Sequence, residues 1–481
     1  MSDLISELRR LIGAEHVLDQ AEVAQRASHF WDSSPLQAQA LVKPADTLEV
    51  SAVMKACHKV GQSVVTHGGK TGLVDGEKST STDIVLSLER MYKIESVDVA
   101  GRTIVVQAGC VLQHVQEKAQ QHDLLYGLDL GARGSCTIGG NIATNAGGLS
   151  VLRYGMTREQ VLGLEAVLAD GTVLSSMNAL MKNNAGYDLK QLFIGSEGTL
   201  GVVTRAVLRL RPNTPSVNTA LLAFDNFEQV SQTLAQLTAN LNSQLNAFEI
   251  IWNPFYRLST NKNIKGSTRA PLSNQYALYA IAESQGSNSE ADRTIFTQSL
   301  ERAMQDGKII DAVIAQSEKE RGEIWTIREN VDLILRHQPA FIYDISIPIV
   351  SMESYVNNIE QQLKSHWPEV VVYAYGHLAD SNLHIAVAPM PSNYAYNTEG
   401  KNVETPILND EQQQWYSVCN KIMFEPLSQL GGSISAEHGI GLLKKSYLHY
   451  SRTDEEIATM RLLKKALDPK CILNPGKIIE F

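Results

Sequence analysis

The 481-residue chain has few cysteines, and none of them forms a recognisable pair. The five cysteines are scattered along the chain, and no CxxC sequence occurs. This pattern argues against a disulfide framework, a cysteine-ligated zinc site and an iron–sulfur cluster. We therefore expect reduced thiols and a cytoplasmic protein.

Long apolar runs and an excess of positive charge are also missing. No stretch reaches the about 18–20 apolar residues that a membrane-spanning helix needs. The opening MSDLISELRRLIG carries acidic residues and has no apolar segment of a leader peptide. A formal net charge of −10 disfavours nucleic acid and anionic membranes as partners. We expect neither a transmembrane segment nor a nucleic-acid partner.

The dinucleotide fingerprint GxGxxG, opening a helix and followed by an acidic residue, is absent. A nicotinamide-binding Rossmann domain is therefore disfavoured. Glycine is nonetheless dense in four clusters: HGGKTG (67–72), GARGSCTIGGNIATNAGG (131–148), KNNAGYD (182–188) and GSEGTLG (195–201). Consecutive glycines let backbone N–H groups converge on an anion. The clusters predict a site for a pyrophosphate with large attached groups, and the alternative is that they only serve turns.

The length predicts two or more domains, and the composition changes at Pro212–Pro215. Before this point short strands dominate, and a helix is predicted over 46–60 because Val50, Val53, Met54 and Cys57 follow a helical spacing. Beyond it, longer helical patterns alternate with strands, including a predicted helix over 320–335. We expect the firmest boundary near residue 213.

Two segments, YGHLADSNLH (375–384) and SAEHGIG (435–441), predict a metal site. His377 and His384 stand at the two ends of a turn within a strand–turn–strand pattern. With Glu437 they form a His₂Glu set, which leaves a coordination position open, as in catalytic metal sites. Nitrogen and oxygen ligands suit Zn²⁺, with Mn²⁺ as the alternative. The competing interpretation is that each histidine is an ordinary surface or core residue.

Two further residues are candidates for the chemistry. Neighbouring side chains of an extended segment diverge, so His438, directly after Glu437, is left to act as a base. Arg328 falls on the apolar stripe of its predicted helix, and a buried guanidinium needs an anion. A substrate carboxylate is the functional candidate, and an intrahelical ion pair with Asp332 is the alternative.

Long stretches of the chain resemble the flavoproteins of the vanillyl-alcohol oxidase and glycolate-oxidase-subunit type. Residues 67–76, 128–155 and 194–204 resemble their FAD-binding loops, and the resemblance continues through YGHLADSNLH, SAEHGIG and ILNPGK. The sequences of 128–155 and 433–441 are most similar to the D-2-hydroxyglutarate dehydrogenase type. The resemblance covers essentially the whole chain.

The resemblance implies an α+β fold of three parts. They are a PCMH-type FAD-binding domain at 1–213, a ferredoxin-like α+β substrate or cap domain at 214–425, and a small helical C-terminal segment at 426–481. The last part is expected to pack on the FAD domain and to complete the active site. A homodimer is an open alternative to a monomer.

The resemblance also implies which residues hold FAD. They lie in the glycine clusters and in the C-terminal NPGK sequence: Gly68, Gly69, Lys70, Thr71, Gly72, Leu73, Gly131, Ser135, Thr137, Gly139, Gly140, Asn141, Thr144, Asn145, Gly147, Gly148, Glu197, Gly201, Val202 and Asn474. Thr71 stands where relatives with covalent flavin have a histidine, so non-covalent FAD is expected. Cys136 is the alternative attachment point.

The implied activity is oxidation of a D-2-hydroxy acid to a 2-oxo acid. A metal on His377, His384 and Glu437 would bind the hydroxyl and a carboxylate oxygen, and His438 would remove the hydroxyl proton. Arg328, Asn382 and His438 would contact the substrate. Electrons would pass to an electron-transfer flavoprotein or a quinone-linked carrier.

Several departures from the hydroxyglutarate type leave the acid open. Ile342 stands where a lysine is usual, Ala379 and Ser381 replace glycines of the hairpin, and His67 and Lys70 are also unusual. D-lactate or a larger monocarboxylate is therefore an alternative to D-2-hydroxyglutarate. Two other functions also stay open: a transferase similar to alkyl-glycerone-phosphate synthase, and a flavin subunit of a larger electron-transfer complex.

Overall fold

A computed structural model describes residues 2–30, 32–337, 339–389 and 408–480, and the chain divides into two compact units. The first unit consists of Met1–Gly148, Tyr154–Asn213 and Glu437–Phe481. The second consists of Leu149–Arg153 and Thr214–Ala436. No helix in the described ranges is long and apolar enough to cross a membrane.

The first unit is built on β-sheets. Its described strands are β1 (Val17–Asp19), β2 (Ala40–Val42), β3 (Val64–His67), β4 (Ile84–Ser87), β5 (Ile94–Asp98), β6 (Thr103–Gln107), β7 (Leu124–Leu125), β8 (Val161–Val167), β9 (Val173–Ser176), β10 (Val202–Arg209) and β11 (Arg211–Pro212). One sheet has the order β1-β2-β4-β3, with β2, β4 and β3 parallel. A second, antiparallel sheet has the order β5-β6-β10-β8-β9, and β7 pairs with β11.

The second unit is built on one sheet among its described residues. The strands are β12 (Ser216–Phe224), β13 (Leu245–Trp252), β14 (Leu278–Gly286), β15 (Asp311–Ile314), β16 (Phe341–Ser346), β17 (Val371–His377) and β18 (Asn382–Ala388). Their order is β15-β12-β14-β13-β17-β18-β16, and every neighbouring pair is antiparallel. The sheet therefore places β13, β17, β18 and β16 side by side.

Helices cover these sheets. In chain order they are α1 (Ser2–Ile12), α2 (Gln20–Val23), α3 (Thr47–Val60), α4 (Leu112–Gln120), α5 (Ile138–Thr144), α6 (Val151–Tyr154), α7 (Thr157–Gln160), α8 (Lys190–Phe193), α9 (Phe227–Leu241), α10 (Asn253–Ser259), α11 (Ser289–Gln305), α12 (Glu318–Glu329), α13 (Met352–His366), α14 (Asp410–Phe424), α15 (Leu427–Leu430) and α16 (Asp454–Leu467). Short 3₁₀ turns lie at Ala14–His16, Asn242–Gln244, Val331–Arg336, Ile349–Ser351, Leu378–Asp380 and Lys445–Tyr450.

Helix α3 follows its sequence closely. The Asp46 carboxylate accepts a hydrogen bond from the Glu49 N–H, and Gly61 ends the helix in the left-handed region at φ 72°. The predicted apolar stripe, including Val53 and Met54, is fully buried in the core of the first unit. The prediction of a helix here is confirmed, because its caps and its apolar spacing agree.

The last described residues belong to the first unit. Ile472 and Leu473 lie in its main core, and Ile472 accepts a hydrogen bond from the Val64 N–H at the start of β3. The buried Lys464 ammonium of α16 donates to Asp468 Oδ2 and to the carbonyl oxygens of Thr199 and Leu473. These bonds fix the NPGK sequence beside β3.

The sheet of the second unit is covered on both faces. Helices α10 and α12 share a core cluster with alternate residues of β12, β13 and β14. Helices α9 and α11 contact the same strands but contribute no residue to that cluster. A strand covered on both faces has few polar positions, so a charged residue within one is exceptional.

The helix predicted over 320–335 is shorter than expected. Helix α12 ends at Glu329, and Val331–Arg336 continues as a 3₁₀ turn. Asn330 between them has a non-helical backbone, and its side-chain amide donates to the Gly266 carbonyl oxygen at 2.8 Å. A hydrogen bond to a distant loop competes with helix continuation at this asparagine. Arg328 and Asp332 are therefore not one turn apart on a single helix.

Candidate active site

Two histidines meet at the end of a hairpin in the second unit, as the sequence predicted. His377 ends β17, the 3₁₀ turn Leu378–Asp380 follows, and His384 lies on β18 opposite Tyr375. The two imidazole rings are 5.3 Å apart between centroids and nearly perpendicular. Their exposed fractions are 6% and 8%. Two buried imidazoles at this separation suit coordination of one cation.

A buried carboxylate lies behind each of these histidines. Glu249 Oε1 is 2.6 Å from His377 Nδ1, and Asp344 Oδ1 is 3.7 Å from His384 Nδ1. Residues directly opposite on antiparallel strands present their side chains to the same face, and the register pairs Glu249 with His377 and Asp344 with His384. Neither acid was predicted from the sequence. The available signal was a single acidic residue inside each largely apolar strand.

The guanidinium of Arg328 joins this cluster from α12. Arg328 Nε donates to Glu249 Oε2 at 2.8 Å, and Arg328 Nη2 lies 3.5 Å from His377 Nε2. The guanidinium carbon also sits 4.6 Å from the centre of the Tyr375 ring, a favourable cation–π position. The buried anion beside Arg328 is Glu249, a partner that the sequence did not predict, and not Asp332.

Burial and charge shift the pKa values of the acids here in opposite directions. Burial would raise the pKa of Glu249, but its contacts with His377 and Arg328 outweigh burial and lower that pKa below its usual value. Asp380 lies in the hairpin turn, where the interaction with His377 offsets the effect of burial only in part. Burial therefore raises the pKa of Asp380 to about 6. Glu249 thus stays ionised more readily than Asp380.

Asn382 lies at the start of β18, next to the hairpin turn. Its amide nitrogen donates to Asp344 Oδ1 at 2.7 Å, and its exposed fraction is 3%. The amide oxygen of Asn382 has no hydrogen-bond partner among the described residues. A buried acceptor left in this state is costly unless a ligand supplies the donor.

Asp344 holds the start of the predicted SAEHGIG segment (435–441). The Ala436 N–H donates to Asp344 Oδ2 at 3.1 Å, and Ser433 bridges to Ser346 of β16. Ala436 is the last residue of the second unit, and the half-buried Glu437 and His438 follow it.

The first unit holds the other end of that segment through Glu197. The buried Glu197 carboxylate accepts hydrogen bonds from the backbone N–H groups of Ile440 and Gly441 at 2.7 and 2.8 Å. Burial raises the pKa of Glu197, although these two bonds oppose the shift. Asn474 connects the same region to β3, because it accepts from the Thr66 N–H and donates to the Glu197 carbonyl oxygen. Both side chains thus hold loops together, and their cofactor-binding role stays a prediction.

The glycine clusters 67–72 and 131–148 pack against each other in the first unit. A Cβ atom on Gly68 would lie 2.5 Å from Thr137 Oγ1, and one on Gly69 would overlap the Ser135 carbonyl group. Gly148 has φ 132°, and a Cβ there would overlap the Asp129 carbonyl group. Glycine is therefore required at these three positions by the close packing of the loops, and their role in holding the cofactor stays a prediction.

Several polar residues predicted to hold FAD are occupied within these loops. Thr137 Oγ1 caps α5, Thr144 donates to the Gly140 carbonyl oxygen, and Asn145 accepts from the Arg158 N–H. The Lys70 ammonium donates to the Ala27 carbonyl oxygen. These contacts shape the loops, so any contribution of the loops to a cofactor comes mainly from backbone.

Comparison with known proteins identifies the family. The model of the "FAD linked oxidases, C-terminal domain" matches residues 214–478, and that of an "FAD binding domain" matches residues 38–176. The chain belongs to the FAD-linked oxidases. The resemblance stated from the sequence is thereby confirmed over residues 38–176 and 214–478.

Two relatives of this FAD-linked oxidase are named as dehydrogenases. It is 38% identical over 453 residues to a D-2-hydroxyglutarate dehydrogenase of Xanthomonas citri pv. viticola, which covers 94% of this chain and 90% of the relative. It is 35% identical over 451 residues to a putative mitochondrial D-lactate dehydrogenase of Schizosaccharomyces pombe, covering 92% and 82% of the two chains.

A solved structure confirms the fold class. The crystal structure of p-cresol methylhydroxylase with substrate bound matches with a TM-score of 0.73 at 15% identity, covering 100% of this FAD-linked oxidase and 97% of that chain. At this identity the match concerns the fold alone. The predicted α+β fold with a PCMH-type FAD-binding domain is confirmed.

Proposed function

We propose that this FAD-linked oxidase is an FAD-dependent dehydrogenase that oxidises a D-2-hydroxy acid to the 2-oxo acid. The observation that carries the proposal is the buried group of Arg328, His377 and His384 in the second unit. The group combines a guanidinium, which can bind a substrate carboxylate, with two imidazoles, which can bind a metal. The names of the relatives support the same reaction class.

Different parts of the chain bind FAD and substrate in this proposal. We propose that residues 1–213 bind FAD, 214–425 hold the substrate, and 426–481 complete the active site. Bound FAD would supply the acceptor for the hydride from the substrate Cα. Non-covalent binding is supported at Cys136, because burial raises the pKa of its thiol to about 11, so the nucleophilic thiolate is scarce.

We propose that His377, His384 and Glu437 hold a divalent cation, Zn²⁺ first and Mn²⁺ as the alternative. The donors fit at His377, because Glu249 is bonded to its Nδ1 and the metal-binding atom is then Nε2. When bound, the cation lowers the pKa of the substrate hydroxyl. Glu437 follows directly after Ala436, whose N–H is fixed by Asp344.

The remaining roles belong to three side chains. Arg328 binds the substrate carboxylate through its terminal nitrogens, because its Nε is committed to Glu249. His438 takes the hydroxyl proton as general base. Asn382 offers its buried amide oxygen to a donor on the substrate or on a bound water.

One feature of the sheet bears on the choice of acid. Ile342 is 41% exposed and pairs with Ala386, one row along the same face from Asp344 and His384. An apolar row next to the site favours a monocarboxylate such as D-lactate over D-2-hydroxyglutarate, which would bring a second carboxylate.

We propose an electron-transfer flavoprotein or a quinone-linked carrier as the electron acceptor, and the cytoplasm as the location.

The proposal is tested by anaerobic flavin reduction. The purified protein is mixed with D- and L-isomers of lactate, 2-hydroxybutyrate and 2-hydroxyglutarate, and bleaching of the flavin absorbance is followed by stopped flow. We expect bleaching by D-isomers only, and we expect His438→Ala to slow it about 10²–10⁴-fold. The exposed His122→Ala is the matched control and should reduce at the wild-type rate. Equal rates for the His438 variant and wild type would remove the base assignment, and no bleaching by any D-acid would remove the reaction.

A further inference from the structure

We infer that Glu249 is a positioning residue that couples the proposed metal ligand His377 to the proposed carboxylate clamp Arg328. The inference rests on the proposed function and goes beyond it. It assigns a role to a residue that contacts neither metal nor substrate in that proposal. It predicts that one buried carboxylate controls both the tautomer of the imidazole and the position of the guanidinium.

Glu249 divides its two oxygens between two elements. Oε1 is bonded to His377 Nδ1 at the end of β17, and Oε2 is bonded to Arg328 Nε on α12. The carboxylate is 1% exposed, so water does not replace either partner. Because β13 and β17 are hydrogen-bonded neighbours, the sheet itself holds Glu249 opposite His377. The carboxylate therefore sets the distance between histidine and arginine.

The first consequence concerns the tautomer of His377. A carboxylate accepts hydrogen bonds, so the nitrogen facing it, Nδ1, carries the proton. The lone pair of the neutral ring is then on Nε2, the atom that can bind a metal. The Arg328 guanidinium, 3.5 Å from His377 Nε2, can only donate and favours the same tautomer.

The second consequence concerns charge. Arg328 Nη2 lies 3.5 Å from His377 Nε2, so a positive guanidinium stands next to the proposed metal-binding atom. A divalent cation at that atom would be repelled by the guanidinium at close range. The negative charge of Glu249, in contact with both groups, offsets this repulsion. Glu249 thus allows a cation and an arginine to share one buried site.

Asp344 is not an equivalent partner for the second histidine. It is 3.7 Å from His384 Nδ1, beyond hydrogen-bond distance, and its oxygens accept from Asn382 and Ala436. Its contacts hold the hairpin and the segment after Ser433. The stronger control over a ligand therefore lies with Glu249.

The chain offers a matched control at Glu283. This carboxylate is also buried, lies on the neighbouring strand β14, and accepts from Trp325 Nε1 and Arg321 Nε at 2.8 and 3.0 Å. Like Glu249 it joins α12 to the sheet, but no histidine is among its hydrogen-bond partners in the described residues. Loss of the buried carboxylate should therefore lower stability at both positions, but only Glu249 should affect a histidine.

The experiment compares Glu249→Gln, Glu283→Gln and wild type as metal-free full-length protein. Zn²⁺ binding is measured by competition with a chromophoric chelator, and thermal unfolding is recorded in parallel. We expect Glu249→Gln to lower Zn²⁺ affinity about 10–100-fold, the range for a lost outer partner of a metal-binding histidine. Glu283→Gln should keep wild-type affinity although it unfolds at a lower temperature.

The outcomes separate this inference from the proposed function. Wild-type affinity in Glu249→Gln, or an equal loss in both variants, would overturn the positioning role while the metal site stands. Failure of wild type to bind Zn²⁺ or Mn²⁺ at all would instead overturn the proposed metal site, and the inference with it. Michaelis constants for the reactive D-acid give a second readout, which we expect to rise in Glu249→Gln because Arg328 loses its anchor.

Discussion

Acidic and basic side chains in this enzyme are buried in groups whose members come from distant parts of the sequence. Glu249 and His377 are 128 residues apart, and Glu249 and Arg328 are 79 apart. The sequence predicted the two histidines because both lie in one short hairpin. It did not predict Glu249 or Asp344, because a lone acid in an apolar strand acquires its partner only through strand pairing. Local spacing carries no information on such pairs.

Residue-level burial also predicts a pH effect at His67 in the first unit. Its ring is 3% exposed, Nε2 lies 2.8 Å from the Glu77 carbonyl oxygen, and burial lowers its pKa to about 4. The folded state thus keeps this ring neutral, whereas the unfolded chain protonates it near pH 6.5. Folding stability should fall as pH drops from about 6.5 towards 4, with no contribution from His67 above that window.

The measurement is urea unfolding at pH 7 and pH 5 of wild type and His67→Gln. We expect wild type to lose about 2 kcal/mol more of its free energy of unfolding than the variant over this interval. The exposed His122→Gln should keep the full wild-type pH dependence. If His67→Gln shows the same pH dependence as wild type, the histidine is already charged in the folded protein and its assigned state is wrong.

Elements with local signals were predicted well, and elements ended by distant contacts were not. The caps of α3 and the strand–turn–strand of β17 and β18 depend on neighbours within a few residues, and both predictions are confirmed. The end of α12 depends on the bond from Asn330 to Gly266, 64 residues away. A pattern of apolar residues does not record such a bond, so the predicted helix ran too far.

The β17–β18 hairpin predicts an effect at the element scale. A Cβ on Gly376 would overlap the Asn382 carbonyl group and lie 2.9 Å from Leu383 Cα, both in the facing strand. Gly376→Ala should therefore push the strands apart, cost about 1–3 kcal/mol of unfolding free energy, and weaken Zn²⁺ binding by displacing His377. Urea unfolding and chelator competition measure both effects.

Helix α12 provides the control for this substitution. Gly322 is exposed within the helix, and a Cβ there meets no atom within 4 Å. Gly322→Ala should stabilise the protein by about 0.5–1 kcal/mol and leave Zn²⁺ binding unchanged. A hairpin that accepts alanine at 376 without loss of stability or metal would show that its strands are not packed as tightly as described.

At the scale of the whole molecule, the fold class followed from resemblance, while the path of the chain did not follow from composition. The composition changes once, near Pro212, but the chain returns to the first unit at Glu437. That return depends on contacts such as Val64 with Leu473, which join residues from opposite ends of the sequence. Stability of the FAD-binding unit therefore depends on the C-terminal residues.

This dependence predicts a link between α16 and FAD. Lys464 is 4% exposed and neutralises Asp468, which is fully buried and accepts from the N–H groups of Ile472 and Leu473. Lys464→Met leaves that carboxylate uncompensated and should destabilise the first unit by about 3–5 kcal/mol. The exposed neighbour Lys465→Met should change little. Because a ligand stabilises only the state that binds it, FAD at about 100 times its dissociation constant should restore about 2.7 kcal/mol to either variant.

Thermal unfolding of both variants, with and without added FAD, measures these effects. Equal unfolding temperatures for the two variants would contradict the anchoring of the C-terminal residues by Lys464.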